Sequence, residues 1–336
     1  MEYRVQLVES GAQFTVNPDE TVLEAALRTG AKLPHECTFG ACGTCRVHVL
    51  EGQVRYDEPP MGLTDEERDQ GYALACQARP CSDLRLSAPE TGIAFAEPRR
   101  VTASVADVAT LCEGVTRLRL RLPAEVEVDY RCGQYINIWL DDDAPRSFSM
   151  ATAPRGGLLE FHIRRIPGGR FTDGLAQRLQ PGDRIDVELP LGVFCFHADD
   201  WRPIILAATG TGIAPIRAIL ESLLDEQDCP PVTLYWGVRT ESELYCLQEL
   251  ESWRDRIYEF QIVPVLSRGG AQWTGRRGYV QDAIAQDHAD LSEHALYLCG
   301  SPAMIHDVKE LAARCGADLD FIYADSFTFQ HPTVQA

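Results

Sequence analysis

Cys37-Thr38-Phe39-Gly40-Ala41-Cys42-Gly43-Thr44-Cys45 sets three thiols in C-x4-C-x2-C spacing, and a fourth follows at Cys76 inside Leu74-Ala75-Cys76-Gln77. Four thiolates in this plant-type spacing are what a 2Fe-2S cluster requires. Gly40, Ala41, Gly43 and Thr44 are small, so the backbone can wrap inorganic sulfide and aim N–H groups at it. A zinc site more often uses two C-x2-C pairs, and this stretch holds one. Cys37, Cys42, Cys45 and Cys76 are therefore the expected metal ligands. Cys81 reads as a free surface thiol. Cys112, Cys132, Cys195, Cys229, Cys246 and Cys315 lack ligand spacing and read as small core hydrophobes.

The flanking pattern is that of a small α+β unit. Tyr3 to Val8 alternates apolar and polar residues and Gln13 to Val16 follows a turn at Gly11, which predicts a hairpin. Thr21 with Glu24 makes a capping box, Leu23, Ala26 and Leu27 form an apolar face, and Gly30 stands where a helix ends. Cys45 to Leu50 returns as a strand, and a second capping box, Thr64 with Glu67, opens a short helix ending near Gly71. This segment, residues 1–90, resembles the plant-type ferredoxin domain, which implies a β-grasp fold with the cluster near one end.

The chain has 336 residues, enough for two to four domains. Pro89, Gly92 and Pro98 break the pattern between Ala88 and Arg100, which places a linker at 91–100. Residues 101–198 carry short strands with regular turns (Val101 to Val108, Thr116 to Leu122, Tyr135 to Leu140, Glu160 to Arg165, Arg184 to Leu189), the signature of an all-β barrel. Residues 199–336 alternate apolar strands, beginning with Ile204 to Ala208, with helices near Ile216 to Leu224 and Ala303 to Arg314, which calls for an α/β domain with a parallel sheet. A basic, apolar leader is missing from the first residues and no apolar run reaches about 18, so a soluble, unexported, cytoplasmic protein without membrane contact is expected. The formal net charge of -19 argues against nucleic acid and for a partner with a basic patch. Glu36, beside the first thiol, is expected to contribute to that docking edge.

In the barrel, Arg146-Ser147-Phe148-Ser149 follows Gly133-Gln134-Tyr135 and precedes His162-Ile163-Arg164 and Gly169-Arg170-Phe171-Thr172. Pieces in this order resemble the flavin domain of the ferredoxin-NADP reductase superfamily. The resemblance implies FAD rather than FMN, with Arg146 on phosphate oxygens, Ser149 near flavin N5, and Gly169 to Thr172 opening a helix whose amides hold the pyrophosphate. The family usually has Tyr where Phe148 stands, so one hydroxyl contact is missing.

In the third segment the strand ending at Ala208 runs into Thr209-Gly210-Thr211-Gly212-Ile213-Ala214-Pro215. Glycines after a strand let the backbone approach a pyrophosphate, and the following helix N-terminus stabilises its charge. Pro215 replaces the third glycine of the full dinucleotide fingerprint, and the loop resembles the reductase-superfamily version. Arg239 ends the next strand, and Cys299-Gly300-Ser301-Pro302 ends a later one, both where open α/β sheets bind ligands. Glu241 and Glu243 would repel a 2′-phosphate, so NADH is expected over NADPH. The resemblance puts Cys299 beside the nicotinamide, and the tail, with Asp325 and Phe327, resembles reductases of aromatic-ring dioxygenases, with Phe327 shielding the flavin.

The module order resembles the reductase components of Rieske-type aromatic-ring-hydroxylating dioxygenases. It implies a monomeric, multi-domain NADH-dependent oxidoreductase that moves hydride from nicotinamide to flavin and single electrons through the cluster, to a terminal oxygenase directly or through an intermediary ferredoxin. Reductases of di-iron monooxygenases or of sugar-deoxygenation enzymes use the same modules, and a flavin-less carrier or sensor is the alternative from another class.

Overall fold

The computed structural model describes residues 2–88, 93, 95–140, 145–226 and 228–327; Pro89 and Gly92 of the expected linker lie outside them. The first unit is a five-stranded mixed sheet in the order Gln13–Val16, Tyr3–Leu7, Leu84–Ser87, Arg46–Glu51, Tyr72–Leu74. Tyr3–Leu7 and Leu84–Ser87 run parallel and the other neighbours antiparallel. The helix Val22–Thr29 packs on this sheet. Thr21 Oγ1 accepts from the Glu24 amide at 3.2 Å, Glu24 Oε2 accepts from the Thr21 amide at 2.8 Å, and Gly30 closes the helix at φ 78°. Losing such a cap costs about 1 kcal/mol. Val22, Leu23, Ala25 and Ala26 are buried, whereas Leu27, expected on the apolar face, is exposed.

The second unit is a six-stranded antiparallel sheet in the order Pro145–Ser149, Tyr135–Trp139, Arg184–Leu191, Arg99–Cys112, Val115–Arg121, Leu158–Arg164. Its ends meet where the Ala151 amide donates to the Glu160 carbonyl at 2.8 Å, curling the sheet into the expected barrel. Alternate residues such as Leu118, Leu120, Ile136 and Ile138 fill the interior, the period-two pattern of strands with one buried face. The first barrel strand starts at Arg99, within the stretch read as linker.

The third unit is a six-stranded parallel sheet, ordered Arg276–Arg277, Phe260–Leu266, Val232–Val238, Ile204–Thr209, Ala295–Gly300, Ile322–Ser326. The strand order reverses at Ile204–Thr209, whose neighbours in sequence go one way and whose later partners go the other. Ligands bind at the carboxyl ends of strands at such a switch point. The helix after the first strand runs Ile213–Ser222, three residues earlier than its apolar spacing predicts. The later helix, Pro302–Arg314, is capped by the Ser301 hydroxyl, which accepts from the Met304 amide at 3.3 Å.

The first unit is docked on the third. Thr44 Oγ1 donates to the Ala324 carbonyl at 3.2 Å, His306 Nδ1 lies 2.7 Å from the Met61 carbonyl, and Lys309 Nζ donates to the Gly62 carbonyl at 2.6 Å. Glu67, fully buried, stands between Arg46 at 2.7 Å and Lys309 at 3.4 Å. Burial pulls the Lys309 ammonium below its usual range, and Glu67 supplies the opposing charge. Removing one partner of such a buried group leaves an uncompensated charge, at a cost of about 3–5 kcal/mol.

Candidate functional site

The four predicted thiols come together. Cys42, Cys45 and Cys76 are buried and Cys37 is half-buried. Among the described residues no three metal-ligating side chains converge on one point as a single ion needs. The thiols stand instead as two neighbouring pairs, Cys37 with Cys42 and Cys45 with Cys76. Two pairs suit two irons, because each iron of a four-cysteine 2Fe-2S cluster takes two thiolates. The wrapped backbone does what its small residues predicted: the amides of Ala41 and Cys42 donate to Cys37 Sγ at 3.4 Å and that of Thr44 to Cys42 Sγ at 3.5 Å. The Cys42 thiol and the amides of Ala41 and Cys42 hold the Cys37 thiol down to about 7. The donor set fits a 2Fe-2S cluster. Gly43 is at φ 88°, and a Cβ there would stand 2.6 Å from Lys309 Nζ and 2.9 Å from the Gly62 carbonyl, so a side chain would force the docked units to shift. As expected, Cys81 is exposed and Cys132, Cys195, Cys229 and Cys246 are buried, while Cys112 and Cys315 are half-buried.

Cys42 packs into the core of the parallel-sheet unit, which brings the thiol loop to the strand ends where the second predicted group lies. Ser149 Oγ is 3.1 Å from Asp325 Oδ2, and both residues are buried. Asp325 is the register partner of Cys299 across the parallel sheet. Burial lifts the Asp325 carboxyl to about 6, with the Ser149 hydroxyl partly offsetting it. Burial also raises the Cys299 thiol well above its usual value, so it is a neutral group rather than a thiolate. Phe327 is half-buried; its amide donates to the Gly300 carbonyl at 2.8 Å and its ring packs on the core that contains Cys299. Ser326 Oγ is buried without a protein partner, a costly state that the polar edge of a bound cofactor would relieve.

The other residues predicted for flavin divide. Arg146 and Phe148 lie on one face of Pro145–Ser149; the Phe148 ring is half-buried and 5.5 Å from Phe171, which is itself part of the barrel core. Ser147 is exposed and donates to Asn137 Oδ1 at 2.8 Å. Gly169 to Thr172 does not open a helix, contrary to expectation. These residues form a tight turn in which a Cβ at Gly169 would stand 2.5 Å from Thr172 Oγ1, and a single helical turn, Leu175–Arg178, begins after Gly174. Arg170 is exposed on that turn. With Arg146, Arg170, the Thr172 hydroxyl and the Ser149–Asp325 pair, the donor set fits a phosphate-bearing flavin.

His162 and Ile163 are both buried, on opposite faces of their strand. Ile163 is a barrel core residue, and His162 sits at the boundary with the parallel-sheet unit, 3.1 Å from Glu160 Oε1 and 3.2 Å from the Tyr245 hydroxyl. Arg119 donates to the other Glu160 oxygen at 2.6 Å. Burial alone would raise Glu160, yet the hydrogen bonds from His162 and Arg119 hold it down to about 2. Burial favours the neutral form of His162, and Arg119 and Arg217 supply positive charge to this carboxylate. Nothing in the local sequence marks Arg119, Glu160 and Tyr245 as partners, because they come from separate strands and loops.

Arg164 reaches the third predicted group. It lines a cleft with Glu113, Gly210, Thr211, Glu243 and Tyr245, and its guanidinium is 3.3 Å from where a Cβ on Gly210 would stand. Gly210–Gly212 is a single 3-10 turn that leads into Ile213–Ser222, where Pro215 sits in the first turn. A Cβ at Gly212 would stand 2.2 Å from the Cys299 carbonyl, and one at Gly300 equally close to Thr209 Oγ1. Ser301 and Pro302 continue this contact, the Ser301 amide donating to Thr209 Oγ1 at 3.0 Å. Glycine at 212 and 300 lets two strand ends meet, leaving helix N-terminal amides and Arg164 facing one cleft, which fits a dinucleotide pyrophosphate. Arg239 is exposed at the end of its strand and does not line this cleft.

Glu36 is placed unlike its expected role. It is 5% exposed, and its Oε1 accepts from the amides of Val193 and Phe194 in the barrel, so it is unavailable to a partner. Burial, and then the nearby Asp325 charge, push its carboxyl well above the usual range. A residue flanking a ligand loop is ordinarily exposed, and only the docking of the units reverses this.

Three family models match the chain in the expected order. Residues 5–81 match the 2Fe-2S iron-sulfur cluster binding domain, 102–196 the oxidoreductase FAD-binding domain and 206–310 the oxidoreductase NAD-binding domain. The chain is 34% identical to the terephthalate 1,2-dioxygenase reductase component 2 of a Comamonas species, over 97% of this chain and 98% of that protein. It is 31% identical to the CDP-6-deoxy-L-threo-D-glycero-4-hexulose-3-dehydrase reductase of Yersinia pestis, over 97% and 99%. Among solved structures, an Amycolatopsis cytochrome P450 reductase superposes with a TM-score of 0.72 at 34% identity, covering 97% of this chain and 98% of that one.

Proposed function

Because the chain belongs to the family of iron–sulfur flavoprotein reductases that join a 2Fe-2S domain to FAD- and NAD-binding domains, we propose that it serves a Rieske-type aromatic-ring dioxygenase. In this reading it is a cytoplasmic monomer with a β-grasp cluster domain at residues 1–90, a short linker that ends before the barrel strand beginning at Arg99, a flavin barrel up to residue 198 and a nicotinamide domain at 199–336. When bound, the cofactors supply the electron chemistry: reduced nicotinamide gives an electron pair to FAD, and the cluster passes electrons on singly.

The chain's own residues bind and orient. Arg146, Arg170 and Thr172 hold flavin phosphates. Ser149 and Asp325 keep a hydrogen-bonding pair at the reacting edge, and Cys299 and Phe327 bound the nicotinamide side. Gly210 to Gly212 and Arg164 take the dinucleotide pyrophosphate. Glu241 and Glu243, which follow Arg239, carry carboxylates that would repel a 2′-phosphate, which supports NADH over NADPH.

The observation that carries the partner assignment is the full-length likeness to a dioxygenase reductase. Energetics agree: plant-type clusters lie near about -400 mV and Rieske centres at roughly -150 mV or above, so transfer runs downhill. Phe39, 37% exposed, and Met61, 46% exposed, are apolar side chains on the cluster side that the other two units leave uncovered. They provide the exit edge. The test is stopped-flow reoxidation of the reduced protein by a purified Rieske oxygenase encoded alongside it. Transfer faster than reoxidation by oxygen, slowing as salt rises, is expected. A rate at low salt no faster than with oxygen alone would sink the assignment and favour a dehydrase partner like that of the Yersinia pestis relative.

A further inference from the structure

Glu36 precedes the first cluster thiol, yet its side chain leaves its own unit. Oε1 accepts from two consecutive barrel amides, those of Val193 and Phe194. Gly192, just before them, is at φ 88°, and a Cβ there would stand 2.8 Å from Glu36 Oε1, 2.7 Å from Oε2 and 2.8 Å from a ring carbon of Tyr135. The other end of the thiol loop is tied as well. Thr44 Oγ1 donates to the carbonyl of Ala324, the residue before Asp325. The loop is thus fastened at Glu36 to the barrel and at Thr44 to the nicotinamide unit, on the two sides of the Ser149–Asp325 pair.

Simple packing does not account for a carboxylate here. Glu36 Oε2 is buried without a partner, and an apolar side chain would avoid that cost. What an apolar side chain could not do is accept two amide hydrogens from a different unit.

We propose that Glu36 is a positioning residue that holds the cluster loop in register with the flavin site for the internal electron step. This rests on the reading above, in which the cluster is filled from FAD. The step moves one electron from the reduced flavin to one ferric iron of the oxidised cluster, with reduced nicotinamide as the source of the electron pair. Glu36 forms and breaks no bond in it.

The test uses the full-length holoprotein and two readouts. Hydrogen exchange at the Val193 and Phe194 amides reports the contact itself. Anaerobic stopped flow with NADH separates flavin bleaching from the later cluster reduction. Glu36→Ala should speed exchange at both amides, leave flavin bleaching within twofold, and slow cluster reduction at least tenfold. Glu36→Gln keeps an acceptor oxygen and should recover cluster reduction to within threefold. Gly192→Ala disturbs the same contact from the barrel side without altering the thiol loop, and should reproduce the slow phase even where Glu36→Ala loses iron. Cluster reduction within twofold of wild type in iron-replete Glu36→Ala or Gly192→Ala, with exchange at Val193 and Phe194 accelerated, would overturn the proposal. So would a glutamine variant no better than alanine. Absence of flavin bleaching in the wild type would instead contradict the functional reading, leaving the exchange result to stand by itself.

Discussion

Ser149 Oγ and Asp325 Oδ2 lie 3.1 Å apart although 176 residues separate them in the chain. One comes from a rim strand of the barrel and the other from the last strand of the parallel sheet, so this hydrogen bond exists only when the two units are docked. It also partly offsets the burial that lifts the Asp325 carboxyl to about 6. Ser149→Ala should leave FAD content unchanged and slow flavin reduction by NADH about tenfold, the equivalent of one hydrogen bond of about 1.4 kcal/mol. Stopped-flow absorbance on flavin-replete protein measures it, and an unchanged rate would remove Ser149 from the reacting edge.

Cys42→Ser tests the electron path. Cys42 is one half of a thiol pair and packs against the nicotinamide unit. The variant should lose the cluster and cytochrome c reduction but keep nicotinamide-dependent ferricyanide reduction, which needs only the flavin. Iron analysis and the two assays side by side decide it. Equal loss of both activities in a folded variant contradicts a path that leaves through the cluster.

The thiol loop, both capping boxes and the glycine loop after Ile204–Thr209 were legible in the sequence because each is a local pattern whose chemistry lies within a few residues. The contacts of Glu36 were not, and Arg164, legible as part of the His162-Ile163-Arg164 motif, reads there with the flavin and not with the glycine loop it faces. Glu36 looks like one more surface acid until the barrel amides of Val193 and Phe194 are brought to it, and Arg164 leaves its strand for a cleft completed by Gly210 and Glu243. The helix expected at Gly169 fails for a more local reason: the turn closes on Thr172 Oγ1, which accepts from the Ile166 amide at 3.2 Å, before helical hydrogen bonding begins.

The proposed preference for NADH rests on Glu243. Glu243 is half-buried beside Thr211 and Arg164, where an extra phosphate would meet its carboxylate, whereas Arg239 lies outside the lining. Glu243→Gln should raise kcat/KM for NADPH about tenfold with little change for NADH, the loss of roughly 1–2 kcal/mol of like-charge repulsion near a surface. Steady-state kinetics with both nucleotides measure this, and a wild type already favouring NADPH would overturn the assignment.

Phe148 stands where relatives of the flavin domain usually have Tyr, and its ring is half-buried against Phe171. Phe148→Tyr adds a hydroxyl without enlarging the ring that packs there. It should tighten FAD by up to roughly tenfold, about 1.4 kcal/mol for one new hydrogen bond. Titration of apoprotein with FAD gives the result, and unchanged or weaker affinity would place Phe148 away from the cofactor.

The boundary between barrel and nicotinamide unit should respond to acid through His162. Burial depresses the pKa of this ring below its ordinary 6.5 even though Glu160 opposes the shift. Below about pH 6.5 the unfolded chain therefore binds a proton that the folded chain refuses, so stability is fully present above that pH and is lost as pH falls toward the folded value. Each unit of depression contributes about 1.4 kcal/mol. His162→Gln keeps hydrogen-bonding capacity toward Glu160 and Tyr245 but cannot titrate. Urea midpoints at about pH 7.5 and 5.5 should accordingly fall further in the wild type than in the variant, while the acidic groups common to both contribute equally. Glu160, already held near 2, stays ionised across this interval and does not confuse the comparison. Parallel curves for the two proteins would mean that the folded protein protonates His162 as readily as the unfolded one, and that the contact with Tyr245 does not depend on a neutral ring.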